Sequence, residues 1–598
     1  MTKRTLFILI ISFSLLGFLG CHHTKKSPLT AGETTKPNTG YSVTKKSDDG
    51  YEPVHNSRIQ YPYEKLIPNL NPNVPNHLKP HSRLVLTDVE DRTFFDFFAW
   101  QTFVGLVWPA DSTYRGAPDR TISPADFSKY NSNDSSNPNR VPVVWETFRT
   151  FDDAFPVTKK NLNATPELWD GTPYRRPFTL DLTSKGNSHD NLNEAFSSVL
   201  IDQNHQYVRY SLGLNKVMYE FIRENKWYLK ENLPKSPTQA SLPPLVNANK
   251  PQQPITTISQ PQTNTIIKQT VKGNSIEIKS AWRIMILQDS IKPHQTWKIA
   301  DDLSRYFISK ANITDAATGK IKEVLVGLVG LHVVVKTPQF AQGLWSSFEH
   351  VDNLRIPKGS GIRRPSFHDS ISKIHEQGFS RNPGRKIIKD EGKRLPVEVS
   401  RVYKIPETPV GTGLHLPDGL STIGLNTAFQ RLLTGTVWEN YQLVITQWPT
   451  DPTTFYAKPF LYPRSSYPYN DKDSIKNIED QKLDSLAVPA VKEAYARAQQ
   501  NAKNAYPRWS GLPIPQVGAL NTVMETYFQN PNPPTTGPNT GIRQAMENTS
   551  CMGCHYGASD MDYSWGLKLR TFPQPFNQGR INPKDSTLVD YIMPKSKK

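Results

Sequence analysis

The run Lys320-Ile321-Lys322-Glu323-Val324-Leu325-Val326-Gly327-Leu328-Val329-Gly330-Leu331-His332-Val333-Val334-Val335-Lys336 is the most apolar stretch of the chain beyond its first twenty residues. β-Branched side chains suit a pleated surface, and a near-continuous apolar run suits a strand covered on both faces. Ala317-Thr318-Gly319 just before it is a turn signal, so the run reads as the second arm of a hairpin and a central strand. Working outward, Ser275–Leu287 alternates as a strand does, Ser304–Lys310 is a shorter strand, and Val437–Trp448 is another that ends at Pro449. Upstream, Leu200 through Tyr207 to Tyr210 alternates and leads into a helix over about Asn215–Lys230. The middle of the chain is therefore β-rich.

Helices flank it. Val89–Val107 has Thr87 or Asp88 as N-cap, acids in its first turn and Pro109 as its stop. Phe94, Phe97, Phe98, Phe103, Leu106 and Val107 recur at helical spacing, with Trp100 and Gln101 extending the face, which gives a buried amphipathic helix. Val141–Phe148, with Trp145-Glu146, reads as a short strand beside it. Ser421–Leu433, Ala490–Ala505 and Pro515–Phe528 read as further helices. The fold class is α+β: a β-rich central region flanked by helices, with a C-terminal helical and loop segment. Composition divides the chain into residues 1–20, 21–75, 76–231, 232–274, 275–465 and 466–598, with no internal repeat. Residues 21–75 lack an apolar period and read as a flexible tether, 76–231 as an N-terminal α+β region, and 232–274, rich in Pro, Gln and Thr, as a mobile linker or insertion. Arg355 to about Arg401 is basic and reads as a solvated loop.

Chemistry enters near the C-terminus, where Cys551-Met552-Gly553-Cys554-His555 has the C-x-x-C-H spacing of covalent c-type haem attachment. Two cysteines three positions apart can each form a thioether to one haem vinyl group, and the adjacent histidine then supplies the proximal iron ligand. A redox disulfide and half of a zinc site are the competing readings. The chain has only three cysteines, so no second pair exists to complete a thiolate zinc site. Gly- and Pro-rich sequence follows the motif, where a thioredoxin-like disulfide would need a βαβ unit.

The third cysteine stands at the other end. Met1–Arg4 is short and basic, Leu6–Phe18 is an apolar or small-residue run, and Phe18-Leu19-Gly20-Cys21 resembles the lipobox of bacterial lipoproteins. Residues 1–20 read as a lipoprotein signal peptide and Cys21 as the lipidation site. An uncleaved anchor helix is the alternative, and either places the chain in the bacterial cell envelope, facing the periplasm or exterior. The formal charge of +17 reads most plainly as a solvated surface without a dedicated partner, with an acidic redox protein or anionic lipid headgroups as the candidate partners. An exported address argues against nucleic acid.

Sixth-ligand candidates follow from residue type. His332 sits inside the central apolar strand, His350 lies among Glu349 and Asp352, and Met524 falls on the Pro515–Phe528 helix. For His332 and His350 the plainer readings are a hydrogen-bonded core histidine and a loop hydrogen-bond network. Met561 and Met593 lie downstream; Met561 is so close in sequence to His555 that the opposite haem face is hard for it to reach. Only residues 556–598 follow the motif, which does not fit the small cytochromes whose haem motif opens the domain.

An ordered set of segments resembles one group of proteins: Trp100-Gln101-Thr102-Phe103-Val104, Val144-Trp145-Glu146-Thr147, Gly327-Leu328-Val329-Gly330-Leu331-His332, Phe348-Glu349-His350-Val351-Asp352-Asn353 and Ser550-Cys551-Met552-Gly553-Cys554-His555. It is similar to large bacterial monohaem proteins of the cytochrome c family, whose function is largely uncharacterised. The resemblance spans the chain from about Thr87 onward and implies one covalent haem c on Cys551, Cys554 and His555, with electron transfer as its use. Two classes of function stay open: an electron relay with closed, six-coordinate iron, and a haem enzyme or ligand sensor, peroxidase-like, with His332 or His350 over an open distal site. A scaffold in which haem only stabilises the fold ranks third.

Overall fold

The computed structural model describes residues 58–60, 68–79, 89–130, 141–156, 164–172, 174, 178–180, 199–233, 242–247, 250–254, 257–260, 265–315, 317–340, 342–368, 388–399, 401, 405–406, 421–448, 521–526, 551, 555, 561–564 and 566–567. All lie within one compact unit, Ser47–Lys598. The signal segment, Cys21, Cys554, Met593 and the Ala490–Ala505 helix lie outside the described residues.

The strands are β1 (Arg58–Gln60), β2 (His77–Lys79), β3 (Arg149–Thr150), β4 (Phe178–Thr179), β5 (Arg209–Leu214), β6 (Val246–Asn247), β7 (Lys250–Pro254), β8 (Thr257–Gln260), β9 (Thr265–Lys268), β10 (Ile276–Ile284), β11 (Ile308–Thr314), β12 (Ile321–Val335), β13 (Leu344–His350) and β14 (Tyr441–Gln447). The helices are α1 (Val89–Leu106), α2 (Phe127–Tyr130), α3 (Phe151–Ala154), α4 (Lys216–Glu224) and α5 (Thr422–Leu432). One eight-stranded sheet runs β14-β13-β12-β10-β5-β3, with β11 paired to β12 and β4 to β11. All pairings in it are antiparallel except β11 with β4. The chain is α+β, as its apolar patterning indicates.

β12 is the central strand, and its 15 residues explain why. Its second half lies between β10 and β13, while its first half pairs with β11 through the turn at Asp315–Gly319. Side chains alternate across a strand. Leu331, Val333 and Val335 therefore point to one face, and Gly330, His332 and Val334 to the other.

The first face carries the main core. α1 lies on it and is buried on every side from Thr93 to Leu106, as expected for a helix apolar all round. The amphipathic reading of this helix is thereby corrected: it has no solvent face there. Phe103 stacks on Phe348 of β13 at 4.4 Å between ring centroids, and Trp100 stacks on Phe429 of α5 at 5.0 Å. Trp100 Nε1 donates to Asn426 Oδ1 at 2.9 Å, and Thr422 donates to Asp96 Oδ2 at 2.6 Å, so α5 and α1 also satisfy each other's buried polar groups. Such aromatic pairs each add about 0.5–1.5 kcal/mol beyond the area they bury.

Four local readings are revised. Val144–Thr147 is a 3-10 turn rather than a strand, with Glu146 taking the Val143 N–H at 3.4 Å and Trp145 wedged between Trp282 and Phe307. The polar segment 232–274 holds two ladders, β6–β7 and β8–β9, and buries Leu242, Leu245 and Ile267 against the main core. In the basic stretch after Arg355, Phe367, Val397 and Val399 are buried in a smaller cluster on the other face of the sheet. Residues 58–60, within the expected tether, form β1 and pair in parallel with β2.

Candidate functional site

The second face of the sheet is polar where the first is aromatic. The register sets Lys279 of β10 and Ser347 of β13 opposite His332, Trp345 opposite Val334, and Glu349 opposite Gly330. Two short segments from the C-terminal part of the chain lie on this surface.

The first is Asn521–Thr526. Sequence periodicity assigns it to a helix, but the residues form turns. Their polar groups are held by the sheet: Asn521 Nδ2 donates to Ser347 Oγ at 3.1 Å and to the Phe348 carbonyl at 2.7 Å, and Tyr210 donates to the Val523 carbonyl at 2.6 Å. The carboxylate of Glu349 accepts from the Thr522 N–H at 3.1 Å and its hydroxyl at 2.8 Å through one oxygen. Its other oxygen takes Gln442 at 3.0 Å and pairs with Arg401. Gly330 permits the close approach, since a Cβ there would stand 2.6 Å from Val523 Cγ2. Met524 is fully buried in this cluster, beside Val329, Val523 and Ala281, and it packs as a core residue.

His332 meets this segment at Glu525. Its Nε2 lies 2.7 Å from Glu525 Oε1, a close polar contact. Glu525 Oε2 accepts the Asn521 N–H at 2.9 Å. Of the three residues marked out as possible distal ligands, His332 has its imidazole paired with a carboxylate and partly open to solvent, 17% exposed.

His350 sits apart, at the end of β13. Its Nε2–H donates to the Arg305 carbonyl at 2.9 Å and its Nδ1 accepts the Asp352 N–H at 3.1 Å, which assigns the tautomer and occupies both nitrogens. The ring stacks on Tyr306 at 4.0 Å, and burial holds its pKa down at about 4, against the smaller upward pull of Asp352. His350 is a neutral structural imidazole here. The acids around it divide: Asp352 makes a two-point ion pair with Arg305 at 2.6 and 2.7 Å, while Glu349 serves the docked segment. Of the Glu349-His350-Asp352 cluster seen in sequence, Asp352 stays beside His350 and Glu349 does not, because neighbouring strand residues face opposite ways.

The second docked segment contains the C-terminal half of the motif region. Cys551 and His555 both have helical backbone and are partly buried. His555 Nδ1–H donates to the Tyr563 carbonyl at 2.7 Å, and its ring packs on Trp345 at 4.3 Å. A donor bond at Nδ1 to a backbone carbonyl is the kind that orients a metal-binding histidine. The turn supplying that carbonyl is itself pinned to the sheet. Asp562 pairs with Lys336 at the end of β12 and accepts the Leu242 N–H, and Asp562 and Tyr563 take left-handed backbone, φ 57° and 65°. Burial raises the Asp562 pKa and lowers that of Lys336, each opposed by the other's charge. Met561 is buried in the main core.

His332 and His555 thus lie on one face of the sheet, His332 opposite Ser347 and His555 against Trp345 two residues away on the same strand. Sequence reasoning missed Trp345, Glu525, Lys336 and Asp562. The only available signal was the lysine that closes the apolar run. The donor set suits a haem iron ligand. The crevice between Trp345, Val334 and Tyr563 has a volume of only about 10 Å³, far below a porphyrin-sized cavity. Among the described residues no group of three or more His, Cys, Asp or Glu side chains gathers as a metal site, and no helix is long and apolar enough to cross a membrane. No protein-family model, curated protein or solved structure matches the chain.

Proposed function

We propose that the chain is a lipid-anchored, exported monohaem c-type cytochrome that relays electrons, with haem c joined to Cys551 and Cys554 and bound through His555. Haem bound in this way supplies one-electron exchange at iron. The observation that carries the reading is the C-x-x-C-H motif together with the Nδ1–H bond from His555 to the Tyr563 carbonyl, the kind of bond that orients a ligand imidazole. Lys336 and Asp562 fix the turn that bears this carbonyl, and Trp345 restrains the imidazole plane. Cys21 supplies the anchor, the basic charge of the chain favours an acidic redox partner, and the family resemblance agrees with this use.

A second reading rests on the His332–Glu525 pair. An imidazole beside a carboxylate on the same face as His555 is an acid–base group, which suits a haem-dependent oxidoreductase or ligand sensor with an open distal site. Optical spectra of the protein matured with a c-type haem assembly system, taken with and without carbon monoxide, separate the two. A low-spin reduced spectrum that carbon monoxide leaves unchanged is the outcome for the relay. A high-spin spectrum that shifts with carbon monoxide would overturn the relay in favour of the enzyme or sensor.

A further inference from the structure

On the opposite face of the sheet, away from His555, a cavity of about 250 Å³ opens between the Val144–Thr147 turn, β3 and the β5–β10 ladder. Its sheet wall includes Ile278 and Ser280, which alternate with Lys279, the residue paired to His332, and so face the other way. Small-molecule sites run to roughly 300–1,000 Å³, so this one fits a single-ring ligand. The rings of Trp145, Phe148, Phe178 and Trp282 line it, with Trp282 at 5.2 Å from Phe178 and 5.8 Å from Trp145 between centroids.

Two features of the lining are unexplained by packing. The indole N–H of Trp145 is buried with no hydrogen-bond partner, in a residue only 4% exposed. A buried donor in that state costs about 1–3 kcal/mol unless something accepts from it. The second feature is Arg115. Its guanidinium donates to three main-chain carbonyls, those of Thr147, Thr172 and Phe148, at 2.6, 3.0 and 3.2 Å, and makes no ion pair among the described residues. A guanidinium has about five N–H bonds, so N–H capacity is left over. Arg149 lies close by, also bonded to carbonyls, with the exposed Glu167 at 3.5 Å as its one counter-charge among the described residues. Burial and, after it, the charge of Arg149 draw the Arg115 pKa down to about 10, so the site carries positive charge at a cost. The lining acids are engaged elsewhere: Asp153, which offsets part of the Arg115 charge, caps Thr150 through its N–H and hydroxyl, and Glu146 accepts from Ser309 at 2.8 Å.

We infer that this cavity binds a small aromatic carboxylate, its ring held between the tryptophan and phenylalanine walls and its carboxylate taken by Arg115 and Trp145 Nε1. A carboxylate matches the planar fork of a guanidinium with charge-assisted bonds. It also supplies the acceptor that the indole lacks. The site is independent of the haem reading and can be tested without haem loading.

The test is calorimetric titration of the full chain with benzoate, and with benzamide as the neutral molecule of the same shape. Saturable benzoate binding, with benzamide at least about tenfold weaker, is the expected result. Trp145→Phe keeps an aromatic wall but removes the indole N–H with the rest of the indole, and should weaken benzoate roughly tenfold and benzamide less. Arg115→Lys keeps the charge and removes the fork, and should weaken benzoate further. Should Arg115→Lys fail to fold, Trp145→Phe still decides the matter. Equal affinity for benzoate and benzamide, no saturable binding of either, or unchanged benzoate affinity in Trp145→Phe would overturn the proposal.

Discussion

The two faces of the sheet are held by different forces. On one, α1 and α5 press stacked aromatic rings onto β13 and β14, and side chains of those two helices bond each other and the backbone of β14. On the other, two short segments from beyond residue 520 are fixed by carboxylates, amides and one buried lysine. Apolar packing is non-directional and tolerates small shifts. Hydrogen bonds to fixed partners set position to within a few tenths of an ångström but contribute little net stability each. The first face therefore suits a scaffold, and the second suits the placing of a functional group such as the His555 imidazole.

Breaking the aromatic face should cost most. Trp100→Ala removes a ring stacked on Phe429 and one of the two donors to Asn426 Oδ1, and about 4 kcal/mol of unfolding free energy should be lost. Denaturant unfolding measures this, and the loss should be global. A loss under about 1 kcal/mol would show that α1 is not the keystone of that core.

On the polar face, Lys336→Met leaves the Asp562 carboxylate buried with only the Leu242 N–H, and about 3 kcal/mol should be lost. The sharper outcome concerns place. Hydrogen exchange should rise first around residues 561–564, and the double variant Lys336→Met, Asp562→Leu should recover most of the loss. Uniform exchange across both faces would erase the contrast between them.

His350 supplies a pH dependence. Its pKa falls from 6.5 in the unfolded chain to about 4 in the fold, so the unfolded chain binds more protons in between. The stability it contributes is complete above pH 6.5 and is lost as pH falls toward 4, a change of about 3 kcal/mol. His350→Gln should flatten the stability profile across that window. An unchanged slope would show that the ring is not buried as described.

The smallest effect belongs to Glu525→Gln. The amide can still accept from Asn521 and meets His332 without charge, so a loss of about 1 kcal/mol or less is expected. Exchange in residues 521–526 should quicken while the aromatic face stays unchanged.

The same contrast explains what could be read from sequence. β12, α1 and α5 announce themselves because their partners are apolar, and burial of apolar residues leaves a period in the chain. β13 is different. Ser346, Ser347 and Glu349 are polar but buried, since Ser347 and Glu349 bond to residues some 170 positions away, and the strand reads as a loop. Val144–Thr147 has strand-like composition but is capped into a turn by its own Glu146. The ladders within 232–274 are hidden by their proline and glutamine content. At the site, the motif itself was plain, while Tyr563, Lys336 and Asp562 act through the backbone or a single long-range pair and leave no spacing to detect.

The measurement that bears most directly on the central claim is the intact mass of the denatured protein after expression with a c-type haem assembly system. One covalently retained haem per chain, abolished by Cys551→Ser with Cys554→Ser, is the result this account requires. A mass equal to the polypeptide alone, from cells that mature other c-type cytochromes, would contradict it.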